Sequence, residues 1–408
     1  MPNTMRKRHR SMTDTDSTTT QSADADWAPD KVPFNEVFSK YEQMRQQCPV
    51  SHTNDRGGYW NVLRYKDVKS VIKDPYTFES GVPFVGSALK ERFIPLTLNP
   101  PEHQMYRRIL NPLMSRQRFE QMAPAVQALV TELLAPLLAA GGGDFASDVA
   151  YPLPARVLLK FLGLEDSTWG SLKAMSKERL EGRADPRRAQ EAAAAFRAVV
   201  SDVVADRRGS PRDPETDFFS AILKESVDGQ PMSTEDAVTI GYQLMAAGHD
   251  TTTSALTSAV YLLSTHPDVQ QRLRADRNLI NSAVEEMLRF EPPLHRVART
   301  STKSTCLGGE AISEGELVAI NWAAANRDPE VFTAPNELDP ARTPNRHLTF
   351  GQGVHMCLGA PLARLELSTV INTILDHTGW IELDGPYKRA AVGISGFDSL
   401  PVRFANRA

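Results

Sequence analysis

The chain has 408 residues, 41% of them hydrophobic and 24% charged, with a formal net charge of −4 at pH 7. This length allows two or three average domains or one large unit, and the apolar fraction is enough for a sizeable core. The slightly acidic balance disfavours a nucleic-acid-binding protein, and three cysteines give no disulfide framework and suit a reducing compartment.

The N-terminal segment 1–28 is rich in Ser, Thr, Asp and Gln, and we predict that it is a disordered tail preceding one domain over 29–408. Its basic run at positions 6–10 is not followed by an apolar stretch, so a secretory signal is not expected. No run approaches 18 consecutive apolar residues, so no transmembrane helix is expected either. The predicted location is the cytoplasm, with no membrane partner.

The remaining elements follow in chain order. Residues 58–65 are strand-like, 123–140 form a helix that the glycines at 141–143 end, and 189–207 form an Ala-rich helix before a polar loop at 208–217. The longest helix runs from Ser233, its N-cap with Asp236 completing a capping-box analogue, to about Thr265. Short strands are predicted at 305–321 and 390–405. The pattern predicts a mostly α fold with small β-sheets (α+β) in a single large domain.

A cysteine near the C-terminal end carries the strongest chemical signal. Helical periodicity begins directly after Cys357, and Pro361 suits a first helical turn. A helix N-terminus favours a thiolate, and the glycines at 351, 353 and 359 let a flat ligand approach the backbone closely. The residues alone leave open a buried structural thiol, a nucleophile or a metal ligand.

The surrounding pattern narrows these alternatives. Phe350, Gly353, Cys357 and Gly359 fill the motif Phe-x-x-Gly-x-x-x-Cys-x-Gly, which resembles that of the cytochrome P-450 superfamily, and His355 also matches the soluble bacterial members. The resemblance extends from about residue 34 to 405. It implies the cytochrome P-450 fold, a haem b cofactor with Cys357 as axial iron ligand, and contacts to haem from the residues around it. These residues are Phe350, Gly351, His355 and Gly359.

A Glu-x-x-Arg pair lies upstream. Glu286 and Arg289 taken alone would be an ordinary surface pair on a helix. The resemblance implies instead that they form a buried structural ion pair with Arg342, which is costly to break.

The middle of the longest helix is unusually polar. The segment Ala247–Thr252 contains a glycine, an acid and two threonines, which form a poor helix interior. It resembles the dioxygen-activating motif of the same family. The resemblance implies that Asp250 and Thr251 are catalytic, as a proton relay, and gives His249 no role.

The two propionates of haem need cationic or donor partners. The resemblance assigns this role to His103 and Arg107, which resemble a helix of the family that reaches the propionates, and to Arg299 and His355.

The implied activity is hydroxylation or another oxidation of a small, mainly apolar substrate by dioxygen. The chain has no flavin- or nicotinamide-binding region, so its electrons must come from outside. The resemblance to soluble bacterial members implies a two-iron two-sulfur ferredoxin and an NAD(P)H-dependent ferredoxin reductase as electron donors. The resemblance also predicts a substrate pocket, lined by Phe84, Leu244, Ala247, His295, Val297, Ile394 and Phe397.

Three other functions stay open on the sequence. They are a peroxide-driven haem-thiolate oxidase, which the presence of Asp250 and Thr251 disfavours, a haem-binding module without turnover, and, more remotely, a cysteine hydrolase.

Overall fold

The computed structural model describes residues 27–86, 92–165, 168, 186–390 and 395–405. Helices dominate this part of the chain. They are α1 (Phe34–Gln47), α2 (Tyr65–Lys73), α3 (Glu102–Leu113), α4 (Arg116–Glu120), α5 (Ala123–Ala140), α6 (Pro152–Phe161), α7 (Pro186–Gly209), α8 (Phe218–Leu223), α9 (Thr234–Thr265), α10 (Pro267–Ala275), α11 (Ile280–Phe290), α12 (Trp322–Ala325) and α13 (Ala360–His377).

The strands are short and form small sheets. They are β1 (Val50–Thr53), β2 (Tyr59–Val62), β3 (Phe78–Glu79), β4 (Gly142–Asp144), β5 (Ser226–Val227), β6 (Gln230–Pro231), β7 (Arg296–Ser301), β8 (Thr305–Leu307), β9 (Glu310–Ile312), β10 (Leu317–Asn321), β11 (Trp380–Leu383), β12 (Lys388–Arg389), β13 (Phe397–Ser399) and β14 (Pro401–Ala405). The predicted strand regions therefore contain strands, and the α+β prediction is confirmed.

The largest sheet has the order β1-β2-β10-β7-β3. Its central strand β10 pairs parallel to β2, with Val318 opposite Trp60, and antiparallel to β7, with Leu317 opposite Thr300. A second sheet has the order β11-β14-β4, and three further strand pairs are isolated hairpins. The long β2–β10 connection brings distant parts of the sequence into one sheet.

The N-terminal boundary differs slightly from the predicted one. Residues 1–26 of the predicted tail lie outside the described residues. Trp27 and Ala28 are buried, and the Trp27 ring packs edge-on against Tyr41 of α1, with ring centroids 5.8 Å apart. The folded domain therefore includes these two residues, because a large aromatic side chain is stabilised by burial.

Helix α5 is long and apolar enough to cross a membrane by length and composition, although the sequence contains no unbroken apolar run of that length. The difference arises because Gln127, Thr131 and Glu132 interrupt a helix otherwise made of Ala, Leu, Val and Pro. One face of α5, including Val126 and Val130, packs in the main core. Gly141, at a φ of 75°, ends the helix as predicted, because glycine adopts this left-handed conformation without strain.

Helix α9 crosses the centre of the molecule and packs against α6, α7, α11 and α13. Its 32 residues span roughly 48 Å at the usual rise per residue. Ser233 is the N-cap, as predicted, and its Oγ accepts from the Asp236 N–H at 2.9 Å. The Asp236 carboxylate accepts a hydrogen bond from Tyr106 Oη at 2.7 Å, so the start of α9 is tied to α3.

Candidate active site

Cys357 lies directly before the N-terminus of α13, for which Gly359 is the N-cap. The Cys357 N–H donates to Phe350 O at 2.8 Å, which closes the loop that carries the sulfur. The N–H groups of Gly359 and Ala360 donate to the sulfur itself. The sequence predicted this position, and the arrangement places two backbone donors and the positive end of the helix dipole at a potential thiolate.

The sulfur is enclosed by protein yet remains accessible. Burial raises the pKa of the Cys357 thiol, and the two N–H donors with the Arg107 and Arg364 guanidinium groups oppose that rise. Cys357 is nevertheless exposed, so a ligand can reach it. A cation bound to the sulfur would supply the charge compensation that a thiolate needs in this setting.

Two glycines shape the loop before the cysteine. Gly351 and Gly353 have φ values of 68° and 77°, which disfavour residues with a Cβ. At Gly353 a Cβ would also lie 3.2 Å from Ile72 O. The loop therefore depends on glycine both for its backbone conformation and for its close contact with α2.

Four basic side chains from separate elements meet near this loop: His103 and Arg107 from α3, Arg299 from β7, and His355. The His103 and His355 rings lie 4.0 Å apart between centroids. Arg107 Nη1 donates to Met356 O at 2.8 Å, which fixes it beside the cysteine loop. The sequence-based set of propionate partners is therefore brought together in space.

The electrostatics of this cluster favour an anion. Burial, followed by repulsion from Arg107 and Arg299, lowers the pKa of His103 to about 4. Burial, followed by repulsion from His103 and the two arginines, lowers the pKa of His355 to about 2. Burial also lowers the pKa of Arg299 to about 10. Each of these shifts would be reduced by a carboxylate placed among the four groups.

The cluster thus fits the carboxylate-bearing side of haem. Within the described part of the chain, neither ring nitrogen of His103 has a hydrogen-bond partner, although the residue is only 1% exposed. Such an orphaned buried donor normally has a partner in the functional state. Among the described residues no group of three His, Cys, Asp or Glu side chains could hold a metal ion.

The polar segment of α9 presents one accessible face. Ala247 is exposed and Thr251 is half-buried, one turn apart, in a helix whose flanking residues are mainly buried. Thr251 Oγ1 donates to Ala247 O at 2.7 Å. Gly248 lies on another face, where a Cβ would be 2.8 Å from Leu158 Cδ1, so this glycine permits the close packing of α6. The accessible face of α9 therefore carries the Thr251 hydroxyl, which is bonded to the Ala247 carbonyl.

Beside this face, Asp250 and His249 lie close together. His249 Nδ1 is 3.5 Å from Asp250 Oδ1, and His249 Nε2 lies 2.9 Å from Tyr151 O. Since a carbonyl oxygen can only accept, Nε2 carries the proton of this bond. The resemblance assigned no role to His249. In the structure, the contact of His249 with Tyr151 joins α9 to the turn before α6.

Glu286 and Arg289 are fully buried and form a two-pronged ion pair, with Arg289 Nε and Nη2 at 2.7 and 2.8 Å from the carboxylate. Arg342 Nε lies 3.0 Å from both carboxylate oxygens. Asn345 Nδ2 and the Asp339 N–H complete the set of donors. The structure brings together the three residues that the sequence pattern associated.

The predicted substrate-pocket residues do not share one environment. Leu244 is buried beside the accessible face of α9, Val297 is half-buried and Phe84 is 43% exposed. His295 is committed to protein partners: Tyr41 Oη lies 3.3 Å from Nδ1 and Ser395 Oγ 2.7 Å from Nε2.

Phe397 is also engaged within the protein, because it packs on Tyr261 with ring centroids 4.6 Å apart. Ile394 lies outside the described residues.

One contact of the basic cluster was not predicted. Ser80 Oγ lies 3.1 Å from His355 Nε2 and so orients this ring. No local pattern marks a serine beside a two-residue strand, and the two residues are 275 positions apart in the chain. Only the packing of β3 against β7 brings Ser80 to the site.

Comparison with known proteins gives a consistent result. The family model for "Cytochrome P450" matches residues 182–385. "Putative cytochrome P450 YjiB" of Bacillus subtilis (strain 168) is 32% identical over 349 residues, which cover 83% of this chain and 86% of that protein. The 6-deoxyerythronolide B hydroxylase of Saccharopolyspora erythraea is 31% identical over 390 residues, covering 90% and 95%. A solved structure of a mutant of P450 EryK in complex with erythromycin B matches with a TM-score of 0.83 at 29% identity, covering 91% of this chain and 97% of that one.

Proposed function

The chain belongs to the cytochrome P450 family and is a haem b-dependent monooxygenase, and on this premise we propose that Cys357 is the axial thiolate ligand. The observation that carries the proposal is the Cys357 sulfur itself. Cys357 is exposed, and its sulfur receives hydrogen bonds from the N–H groups of Gly359 and Ala360. These donors hold negative charge on the sulfur and moderate its donor strength.

The four basic side chains would hold haem by its two propionates. His103, Arg107, Arg299 and His355 supply N–H donors to the two propionates, and the lowered pKa of each histidine indicates that these rings are neutral donors at pH 7 in the chain alone. Phe350, Gly351 and Gly359 would complete the contacts on the cysteine side.

When bound, haem supplies the iron that activates dioxygen for insertion of one oxygen atom into an organic substrate. The reaction consumes two protons, and we assign their delivery to Thr251 and Asp250. The Thr251 hydroxyl donates to Ala247 O, so its lone pairs remain available to accept a proton or a hydrogen bond. Asp250, whose side chain is 11% exposed, lies next to it in the chain and can hold the proton that the hydroxyl passes on.

The substrate is proposed to be a small, mainly apolar organic molecule. Leu244, Ala247 and Val297 would offer an apolar surface near Thr251, with Phe84 farther out. One relative is a 6-deoxyerythronolide B hydroxylase, which supports hydroxylation as the reaction. We further propose a cytoplasmic enzyme that receives its electrons from a two-iron two-sulfur ferredoxin and an NAD(P)H-dependent reductase.

The test uses the purified, haem-containing protein, reduced and exposed to carbon monoxide. We expect the red-shifted Soret band that an intact thiolate ligand produces. The Cys357→Ser variant should lose this band, whereas Cys48→Ser and Cys306→Ser, which change the two other exposed cysteines, should retain it. Retention of the band in Cys357→Ser would refute the ligand assignment.

A further inference from the structure

Two consecutive carboxylates of α11 serve different networks. Glu286 binds Arg289 and Arg342 in the interior. Glu285 turns instead toward Arg364 of α13, whose Nε and Nη2 lie 2.6 and 2.8 Å from its two oxygens. Burial tends to raise the pKa of Glu285, but the hydrogen bonds from Arg364 and His347 outweigh it and hold the pKa at about 2. Glu285 is therefore ionised at neutral pH.

His347 fixes this pair in place. Its Nε2 lies 3.0 Å from Glu285 Oε2, and its Nδ1 accepts from the Thr349 N–H at 3.2 Å. The Thr349 N–H donates to Nδ1, so Nε2 is the ring nitrogen that donates to Glu285. The side chain of His347 is only 4% exposed, so the geometry of the donor is well constrained.

The pair is connected to the cysteine loop through an aromatic ring. The Arg364 guanidinium lies 4.4 Å from the centroid of the Phe350 ring, a cation–π distance. The Phe350 carbonyl accepts the hydrogen bond from the Cys357 N–H. Arg364 is also one of the two guanidinium groups whose charge acts on the Cys357 sulfur, the other being Arg107.

We propose that the Glu285–Arg364 pair is a positioning and charge-balancing device for the sulfur of Cys357, and that it sets the reduction potential of the bound haem. The inference rests on the proposed role of Cys357 as axial ligand. Stacking on Phe350 holds the Arg364 cation beside the cysteine loop, and His347 orients Glu285, whose negative charge opposes that of Arg364.

This arrangement predicts opposite effects for the two partners. A cation near the thiolate stabilises negative charge and so raises the reduction potential of the haem, whereas an anion lowers it. Removing Glu285 leaves the positive charge of Arg364 uncompensated, which should raise the reduction potential. Removing Arg364 leaves the negative charge of Glu285 uncompensated, which should lower it. A purely structural role predicts no such difference in sign, because either change would merely loosen the same loop.

The experiment is spectroelectrochemical titration of the haem-containing protein. Glu285→Gln, which retains an oxygen acceptor for His347, should raise the reduction potential relative to wild type. Arg364→Met, which retains an apolar stem over Phe350, should lower it. The double variant should lie close to wild type, and Arg364→Lys should lie nearer to wild type than Arg364→Met, since it keeps the charge. Both single shifts should diminish at high salt, because the pair is partly exposed.

A matched control is the Glu132–Arg156 pair, with 2.7 Å between Arg156 Nη1 and Glu132 Oε1, which joins α5 to α6. Glu132→Gln and Arg156→Met should leave the potential unchanged. The carbon monoxide band is recorded for every variant. A wild-type protein without the thiolate band would refute the role of Cys357, whereas a normal band with single shifts that are absent or of equal sign would overturn only the inference on Glu285 and Arg364.

Discussion

The imidazole rings of His103 and His355 lie with their centroids 4.0 Å apart and their planes at 45°, although one comes from α3 and the other from the loop before Cys357. Both rings have lowered pKa values, mainly because of burial. Two neutral rings are thus held beside two arginines. Such a cluster is a donor set for carboxylates, since neutral imidazoles add hydrogen bonds without adding further repulsion between cations.

Replacing His103 by Phe should therefore weaken the retention of haem. A hydrogen bond to a charged group contributes about 1.5–3 kcal/mol, so we expect haem to dissociate roughly ten- to a hundred-fold faster. The measurement is the rate of haem transfer to excess apomyoglobin. His52→Phe, which changes an exposed histidine stacked edge-on with Trp60, is the control and should lose haem at the wild-type rate. Equal rates for both variants would contradict the assignment of His103.

His295 should make stability depend on pH. Burial, followed by repulsion from Arg296, Arg327 and Arg389, lowers its pKa to about 3. An unfolded histidine has a pKa of about 6.5, so between pH 6.5 and 3 the unfolded chain binds a proton that the native chain does not. The free energy of unfolding therefore decreases as the pH falls through this window, by about 2 kcal/mol between pH 7 and 5 from this one group.

The variant His295→Gln should be less stable than wild type at pH 7, because it loses contacts to Tyr41 and Ser395, but should lose less stability on acidification. Urea unfolding at pH 7 and pH 5 measures both quantities. His52→Gln should keep the wild-type difference between the two pH values. An unchanged pH dependence in His295→Gln would show that this residue is not the group responsible.

Local sequence patterns predicted some features well and others not at all. The cap at Ser233, the end of α5 at Gly141 and the helix start after Cys357 depend on neighbouring residues, so they can be predicted from sequence. The second partner of Asp236, by contrast, comes from another helix. The Asp236 carboxylate accepts from Tyr106 Oη and from Arg92, neither of which the capping-box pattern indicates.

In the candidate active site, too, neighbouring residues could be predicted from sequence and contacts with distant segments could not. The resemblance identified the basic residues individually, and they do meet, but the contacts that orient them come from distant segments such as Ser80. The sequence carried no indication that His295 has partners on both ring nitrogens, because neither Tyr41 nor Ser395 is near it in sequence. Long-range contacts of this kind are set by packing and not by periodicity.

Replacing Glu286 by Gln should destabilise the protein strongly. Glu286 is fully buried and accepts hydrogen bonds from Arg289, Arg342 and Asn345. Removing its charge leaves two guanidinium groups uncompensated, and breaking a buried pair in this way costs about 3–5 kcal/mol. Urea unfolding followed by far-ultraviolet circular dichroism measures the change.

The control for this prediction is Glu382→Gln, which breaks an exposed pair with Arg403. Its effect should remain below about 1 kcal/mol, as is usual for surface pairs. A cost for Glu286→Gln as small as that of Glu382→Gln would mean that the network does not stabilise the fold.

Thr251→Ala should separate electron consumption from product formation. If the Thr251 hydroxyl passes protons to the reacting oxygen, its loss should increase the release of hydrogen peroxide per NAD(P)H consumed, with electron uptake largely retained. Thr251→Ser keeps the hydroxyl and should restore most of the coupling.

Thr265→Ala is the matched control, because Thr265 Oγ1 donates to Tyr261 O at 2.8 Å, the same bond four residues back that Thr251 makes to Ala247 O. Both alanine variants lose this helix-internal hydrogen bond, but only the one on the accessible face of α9 should lose coupling. Uncoupling in both would assign the effect to helix distortion, and normal coupling in Thr251→Ala would remove the hydroxyl from the proton path.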